Sequence, residues 1–320
     1  MAIESPLSIG AISRMPDAKT QTAAFLVLMS LALWIESPVI DLLSTSTTLS
    51  NSAQAYRRLR KFTLLLMAWV TITHALVAFT PVFWFVTLEL LHLDREVAEA
   101  ARLGMMVATP WSAFIGWRRF LQGILIRNGQ TKLISRGTVL RGIGMAATVI
   151  WLAISSPLQG CTVAAIGLVV SVAVEAIYVH WVSRPLVRSI LEAPEASVEA
   201  LSMRELLGFH LPLTATTMVM MLGMPILSAA LARVPNPVQM LASWQVAFTL
   251  LWLLRTIVFA LPEVVVTLAK DRASMMKLRN FTLGVGLGCS LLTLFFGLTG
   301  LDRLYFRHVI GASELSIEYA

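Results

Sequence analysis

The chain has 320 residues, of which 57% are hydrophobic and 13% charged, with a formal net charge of +7 and a mean hydropathy of +0.76. Soluble domains carry about twice that share of charge, so this composition excludes a soluble globular protein and predicts a polytopic membrane protein. Cys161 and Cys289 stand apart in apolar runs, which excludes a disulfide framework and a zinc motif.

The opening stretch MAIESPLSIGAISRMPDAKT lacks a basic block, a compact apolar block and a small-residue cleavage site, so it does not read as a signal peptide. Beyond it, apolar runs recur at roughly 22–45, 62–88, 103–126, 138–157, 161–183, 209–232, 239–267 and 281–300, each matching the about 20 helical residues that a ~30 Å hydrocarbon core requires. About eight complete spanning helices and a partial first one are therefore predicted. Strands are excluded because no run alternates in and out, and lipid leaves no backbone group unpaired without cost.

The first span contains LALWIESPVIDLL, with Glu36 and Asp41 flanking Pro38. Ionisable residues inside a membrane helix cost about 2.5 to 3.5 kcal/mol each and mark a cavity or pathway. By the same argument Arg118 and Arg119 in FIGWRRFLQG, Glu175 in SVAVEAIYVHW, and Arg255 and Glu263 in LWLLRTIVFALPEVV are pathway candidates. One of the two adjacent arginines is expected to face inward, toward an anionic ligand or a carboxylate such as Glu175. His74 and His180 are expected on helix faces near an interface, and the tryptophans at the membrane interface or in packing. Pro38 and Pro262 each remove a backbone donor, so both host helices should bend near their charges.

Between spans the basic residues alternate. Arg57, Arg58, Arg60 and Lys61, then Arg127, Lys132, Arg136 and Arg141, then Arg184, Arg188 and Arg204, then Lys270, Arg272, Lys277 and Arg279 fall on one side. The other side carries Arg14, Lys19, Arg95, Arg102, Arg233, Arg303 and Arg307 over comparable connections. The positive-inside rule places the richer side in the cytoplasm, so the basic balance reports orientation and contact with anionic lipid rather than nucleic acid. Residues 184–208 form the long polar connection, expected to be partly helical on the membrane surface, with Ser202 and Glu205 as a capping box.

LRKFTLLL at 59–66 returns as LRNFTLGV at 278–285, an offset of 219 residues. At the same offset Pro6, Arg14 and Pro16 meet Pro225, Arg233 and Pro235, and Thr48 and Leu49 meet Thr267 and Leu268. These matches predict a duplication. Six helices separate the copies, so the repeats run parallel about an axis along the membrane normal. The expected plan is an all-α protein of two parallel six-helix repeats, with an N-terminal lobe at 1–183 whose first helix is incomplete. A linker at 184–208 and a partial C-terminal lobe at 209–320, lacking its last three helices, complete it. Glu36 and Arg255 occupy the same place in the two copies, since they too lie 219 residues apart. An ion pair across the lobes is expected there, a latch whose breaking favours the other state.

RRFLQGILIRNGQTKLISRGTVLR at 118–141, SMRELLGFHLPL at 202–213 and ARVPNPVQMLASWQVAF at 232–248 resemble the fourth helix and following loop, the entry to the seventh helix and the turn into the eighth of the multidrug and toxic compound extrusion family. The resemblance implies a twelve-helix plan in the wider group that includes lipid-linked oligosaccharide flippases and progressive ankylosis-like transporters. It further implies a monomeric inner-membrane exporter of small organic molecules that alternates access between lobes, uses a proton or sodium gradient and needs no cofactor. The coupling acids of the family's first helix are not carried over to this chain. No catalytic set, P-loop or metal spacing is present, so an enzyme is not predicted. An exporter or flippase of an anionic or lipid-linked substrate, favoured by Arg118, Arg119 and Arg255, is the second reading, and a truncated product without transport is the third.

Overall fold

The computed structural model describes residues 4–193, 201–258, 261–269 and 271–320; the side chains of residues 262, 263, 266 and 267 lie outside the described part. Among the described residues every regular element is a helix. In chain order these are α1 (Glu4–Ile12), α2 (Ala18–Ile40), α3 (Leu42–Leu49), α4 (Ala53–Phe79), α5 (Val82–Trp84), which runs into a π-helical stretch Phe85–Leu90, α6 (Arg95–Ala108) and α7 (Trp111–Arg127). There follow α8 (Thr131–Ser155), α9 (Gly160–Glu192), α10 (Met203–Leu231), α11 (Pro237–Arg255), α12 (Leu261–Leu268), α13 (Arg272–Thr299), α14 (Leu301–Leu304) with a second π-helical stretch Tyr305–Ile310, and α15 (Glu314–Tyr319).

Among the described residues seven helices are long and apolar enough to cross a membrane, with α2 and α3 acting as one span. The sequence reading counted one more, at 103–126. That run is divided between α6 and α7 at Thr109–Pro110, because proline at 110 cannot continue the ladder of α6. The expected span at 239–267 is likewise divided, into α11 and α12, with a turn at Thr256–Ile257. The linker differs too: α9 continues to Glu192, so residues 184–192 extend the spanning helix through Pro185, and 194–200 lie outside the described residues.

The helices sort by environment as their side chains dictate. AKTQTAAFLVLMSLALWIESPVI, in α2, is apolar all round and sits at the centre, packed along α6, α10 and α11. α6 is amphipathic: Val97, Ala98, Ala101, Gly104 and Met105 turn inward and Arg95, Glu96 and Glu99 outward. α4, α8, α10 and α13 are peripheral and expose leucine, isoleucine and valine over much of their length, as a lipid-facing helix should.

Close approach at the centre depends on glycine. A Cβ at Gly123 of α7 would lie 1.9 Å from Ser46 Oγ and 2.5 Å from the Leu43 carbonyl oxygen, so only glycine lets α7 close on α3. Ser46 Oγ in turn donates to the Leu42 carbonyl at 2.6 Å. At the Pro38 bend, Ser37 Oγ donates to the Trp34 carbonyl that proline leaves without its usual donor, at 2.8 Å, and the helix breaks at Asp41.

Several boundaries recur at the offset read in the sequence. α3 and α12 cover matching residues, Ser52 caps α4 where Asp271 caps α13, and Asp17 and Asn236 precede α2 and α11 in the left-handed region, with φ of 53° and 57°. The connection at Ser202 is a capping box, as expected: Ser202 N–H donates to Glu205 Oε2 at 2.7 Å and Glu205 N–H to Ser202 Oγ at 3.1 Å. Those bonds hold the Glu205 carboxyl below its ordinary range.

Candidate functional site

Four of the charged side chains inside the helical assembly, from α1, α7, α8 and α9, form one ion-paired cluster. Arg118 is almost fully buried and donates from Nη1 to Glu175 Oε2 at 2.8 Å, so the inward arginine of the adjacent pair meets the carboxylate proposed for it. Gln122, one turn further along α7, donates from Nε2 to the other oxygen of Glu175 at 3.0 Å. Arg141 of α8 donates from Nη1 to Glu175 Oε2 and from Nε to Glu4 Oε1, both at 3.1 Å. Ser171 of α9 donates to the same Glu4 oxygen at 3.1 Å. The result is a continuous chain, Arg118–Glu175–Arg141–Glu4, with every member buried.

Charge pairing is the condition for this burial. An ion taken from water into an interior costs several kcal/mol, and only matched geometry with filled hydrogen bonds repays it. Glycine admits the partners: a Cβ at Gly137, one turn before Arg141, would stand 3.3 Å from Glu175 Cγ.

Two members of this cluster escaped the sequence reading. Arg141 was grouped with the loop charges after 127, whereas α8 begins at Thr131 and carries it to the interior. Glu4 lies in the first helix, expected to be incomplete, outside every apolar run long enough to span a membrane. A signal was present: IESP occurs at 3–6 and again at 35–38, and both glutamates are buried.

Glu36 is fully buried, and neither carboxylate oxygen has a hydrogen-bond partner among the described residues; the charges acting on it include Arg118, Arg119 and Glu4. Arg255 is exposed at the end of α11. The latch between Glu36 and Arg255 is therefore not made. Equivalent places on two helices do not guarantee facing side chains, and Glu36 is buried while Arg255 is exposed. Arg119, about 100° around the helix from Arg118, is half-buried. Asp41 caps α2 and accepts from Thr217 Oγ1 of α10 at 3.1 Å. The side chain of Glu263 lies outside the described residues.

His74 is a core residue, not an interfacial one: it is fully buried and its Nε2 pairs with the Met105 carbonyl at 3.0 Å, because α6 closes over α4. His180 packs against Trp117 and pairs with Arg184. Trp69, Trp151 and Trp181 face outward, whereas Trp111 is buried and Trp252 half-buried. With Phe25 and Phe248 they line a cavity between α1–α9 and α10–α11, whose wall also holds Glu4, Met29, Met224 and Gln245. It leaves about 40 Å³ for the centre of a water-sized sphere, room for a few waters rather than a ligand of drug size.

The arrangement defines a multi-pass helical membrane protein with a buried ion chain that ends on an internal cavity. Its fold is similar to that of a multidrug resistance MATE family transporter of the MOP superfamily, solved in an inward-facing conformation, with a TM-score of 0.68 over 99% of this chain and 74% of the other. The sequences are 12% identical, so the likeness is one of fold. No family model matches the sequence, and no curated protein matches it.

Proposed function

We propose that this protein is a secondary transporter that exports small organic cations, driven by a proton or sodium gradient. The helices α1–α9 and α10–α15 act as two duplicated lobes that alternate access to the cavity between them. One observation carries the reading: Glu4 belongs both to the cavity wall and to the buried ion chain. A cation entering the cavity competes with Arg141 for Glu4. A proton or sodium ion on Glu4 does the same from the other direction, so occupancy of the cavity and the state of the chain are linked. Aromatic faces at Phe25, Trp111, Phe248 and Trp252 suit a flat organic cation. The anionic-substrate reading loses support, since Arg118 is committed to Glu175 and Arg255 lies outside the cavity.

Uptake of ethidium into inside-out proteoliposomes under an imposed pH or sodium gradient tests this. Gradient-dependent uptake is expected, with Glu4→Gln reducing it at least tenfold. Gradient-independent flux, or an unaffected Glu4→Gln variant, overturns the proposal. Orientation is read separately: Ser155→Cys should react with an impermeant thiol reagent from outside intact cells, and Asn51→Cys only after lysis.

A further inference from the structure

The R-x-P turns at Arg14 and Arg233 hold matching arginines whose side chains reach into opposite halves of the molecule. Arg14, between α1 and α2, donates to the Gly10 carbonyl of its own half. It also donates to the carbonyls of Ile310 at 3.0 Å and Val309 at 3.4 Å, at the end of the second π-helical stretch. Arg233, between α10 and α11, donates to the Ala229 carbonyl at 2.6 Å and, across the molecule, to the Leu90 carbonyl at 3.1 Å, at the end of the first π-helical stretch. Gly10 and Ala229, Arg14 and Arg233, and Leu90 and Val309 are each 219 residues apart. The two contacts are thus the same contact made twice, in opposite directions.

The receiving ends are built alike. Each π-helical stretch is followed within two residues by one in the left-handed region, His92 at φ 58° and Gly311 at φ 73°, again 219 apart. Each is closed by a matching backbone bond, Leu93 N–H to the Thr87 carbonyl at 2.9 Å and Ala312 N–H to the Phe306 carbonyl at 3.0 Å. The carbonyls left at such an end carry partial negative charge and attract a cation. One difference breaks the match. Arg14 lies against Gly311, where a Cβ would stand 3.2 Å from its Cζ. Arg233 instead finds the His92 ring, whose Nδ1 accepts from its Nη2 at 2.9 Å.

We propose that Arg14 and Arg233 are reciprocal clamps that tie the two lobes together on the sparsely charged face, so that opening this face requires both to let go. This rests on the two-lobe transporter reading, but its test does not require transport. Spin labels at Ser155→Cys and Thr299→Cys, on this face in opposite lobes, report the separation by pulsed dipolar spectroscopy in lipid nanodiscs, with Cys289→Ser; Cys161 is buried and does not label.

Arg14→Gln and Arg233→Gln should each shift the population toward a longer distance by about three- to tenfold, the effect of losing a hydrogen bond of ordinary net strength at an exposed site. The double variant should combine both shifts, and Arg95→Gln on the same face should give none. His92→Gly gives the Arg233 clamp the geometry of the Arg14 clamp and suits the left-handed backbone. It folds even where an arginine variant does not, and should yield a smaller shift of the same sign. An unchanged distribution in the folded double variant, or in His92→Gly where the double variant does not fold, overturns the clamps. A shifted distribution in a protein that moves no cation leaves the clamps standing and removes the transport reading.

Discussion

Leu59, Arg60, Phe62, Thr63 and Leu64 of α4 are matched by Leu278, Arg279, Phe281, Thr282 and Leu283 of α13, yet the two stretches meet different surroundings. Phe62 is 8% exposed and stands edge-on to His210, with ring centroids 5.0 Å apart, whereas Phe281 is 54% exposed. α4 is packed by α2, α6 and α7, while α13 rests on α11, α12 and α14. Identical side chains at identical helical positions are thus buried by α2, α6 and α7 in one half and exposed among the described residues of the other. Charge follows the same division. The half containing α1–α9 holds the buried ion chain, and the place equivalent to Glu4 in the other half is Gly223.

The sharpest way to break the asymmetry of charge is Glu175→Gln. It leaves Arg118 without its carboxylate and Arg141 with only Glu4, and removing one partner of a buried pair costs about 3 to 5 kcal/mol. Thermal unfolding in detergent should show a large loss, and a variant as stable as wild type would mean the chain is not paired.

Truncating the matched phenylalanines comes next. Phe62→Ala should cost about 3 kcal/mol, as for a buried aromatic, and Phe281→Ala well under 1 kcal/mol, as expected away from packed sites. Equal losses would refute the difference in packing.

Glycines sharpen it with a change of sign. Gly123→Ala forces a Cβ into Ser46 and the Leu43 carbonyl and should cost about 1 to 3 kcal/mol. Gly286→Ala, with open space around it, should gain up to about 1 kcal/mol from helix propensity.

The smallest effect lies at the helix caps on the basic face. Hydrogen bonds to backbone and side chain hold Glu205 and Asp271 below their ordinary values of 4.5 and 3.8. A depressed carboxyl contributes its stability above the unfolded value and loses it as pH falls through the lowered folded value. Amide exchange at residues 203–206 and 272–275 should therefore quicken, relative to the rest of α10 and α13, as pH is lowered from 6 to 3. No local change would mean the caps add nothing.

Sequence alone determined that this is an all-helical membrane protein, where most spans lie, and that Arg118 and Glu175 are ionisable groups in an apolar setting. Those conclusions rest on the length of apolar runs and the cost of charge in lipid, which are local properties. The capping box at Ser202 and Glu205 was legible for the same reason, since its partners are three residues apart. Tertiary structure decided the rest. Whether Arg141 belongs to a loop or to the core depended on where α8 begins and what α9 presents to it. That Glu36 is buried while Arg255 is exposed depended on how each helix is rotated and packed, which the spacing of residues along the chain does not specify. The crossing of Arg14 and Arg233 is the clearest case. The repeated R-x-P was visible in the sequence, but carbonyls 295 and 143 residues away in the chain became its partners only when the two halves packed together.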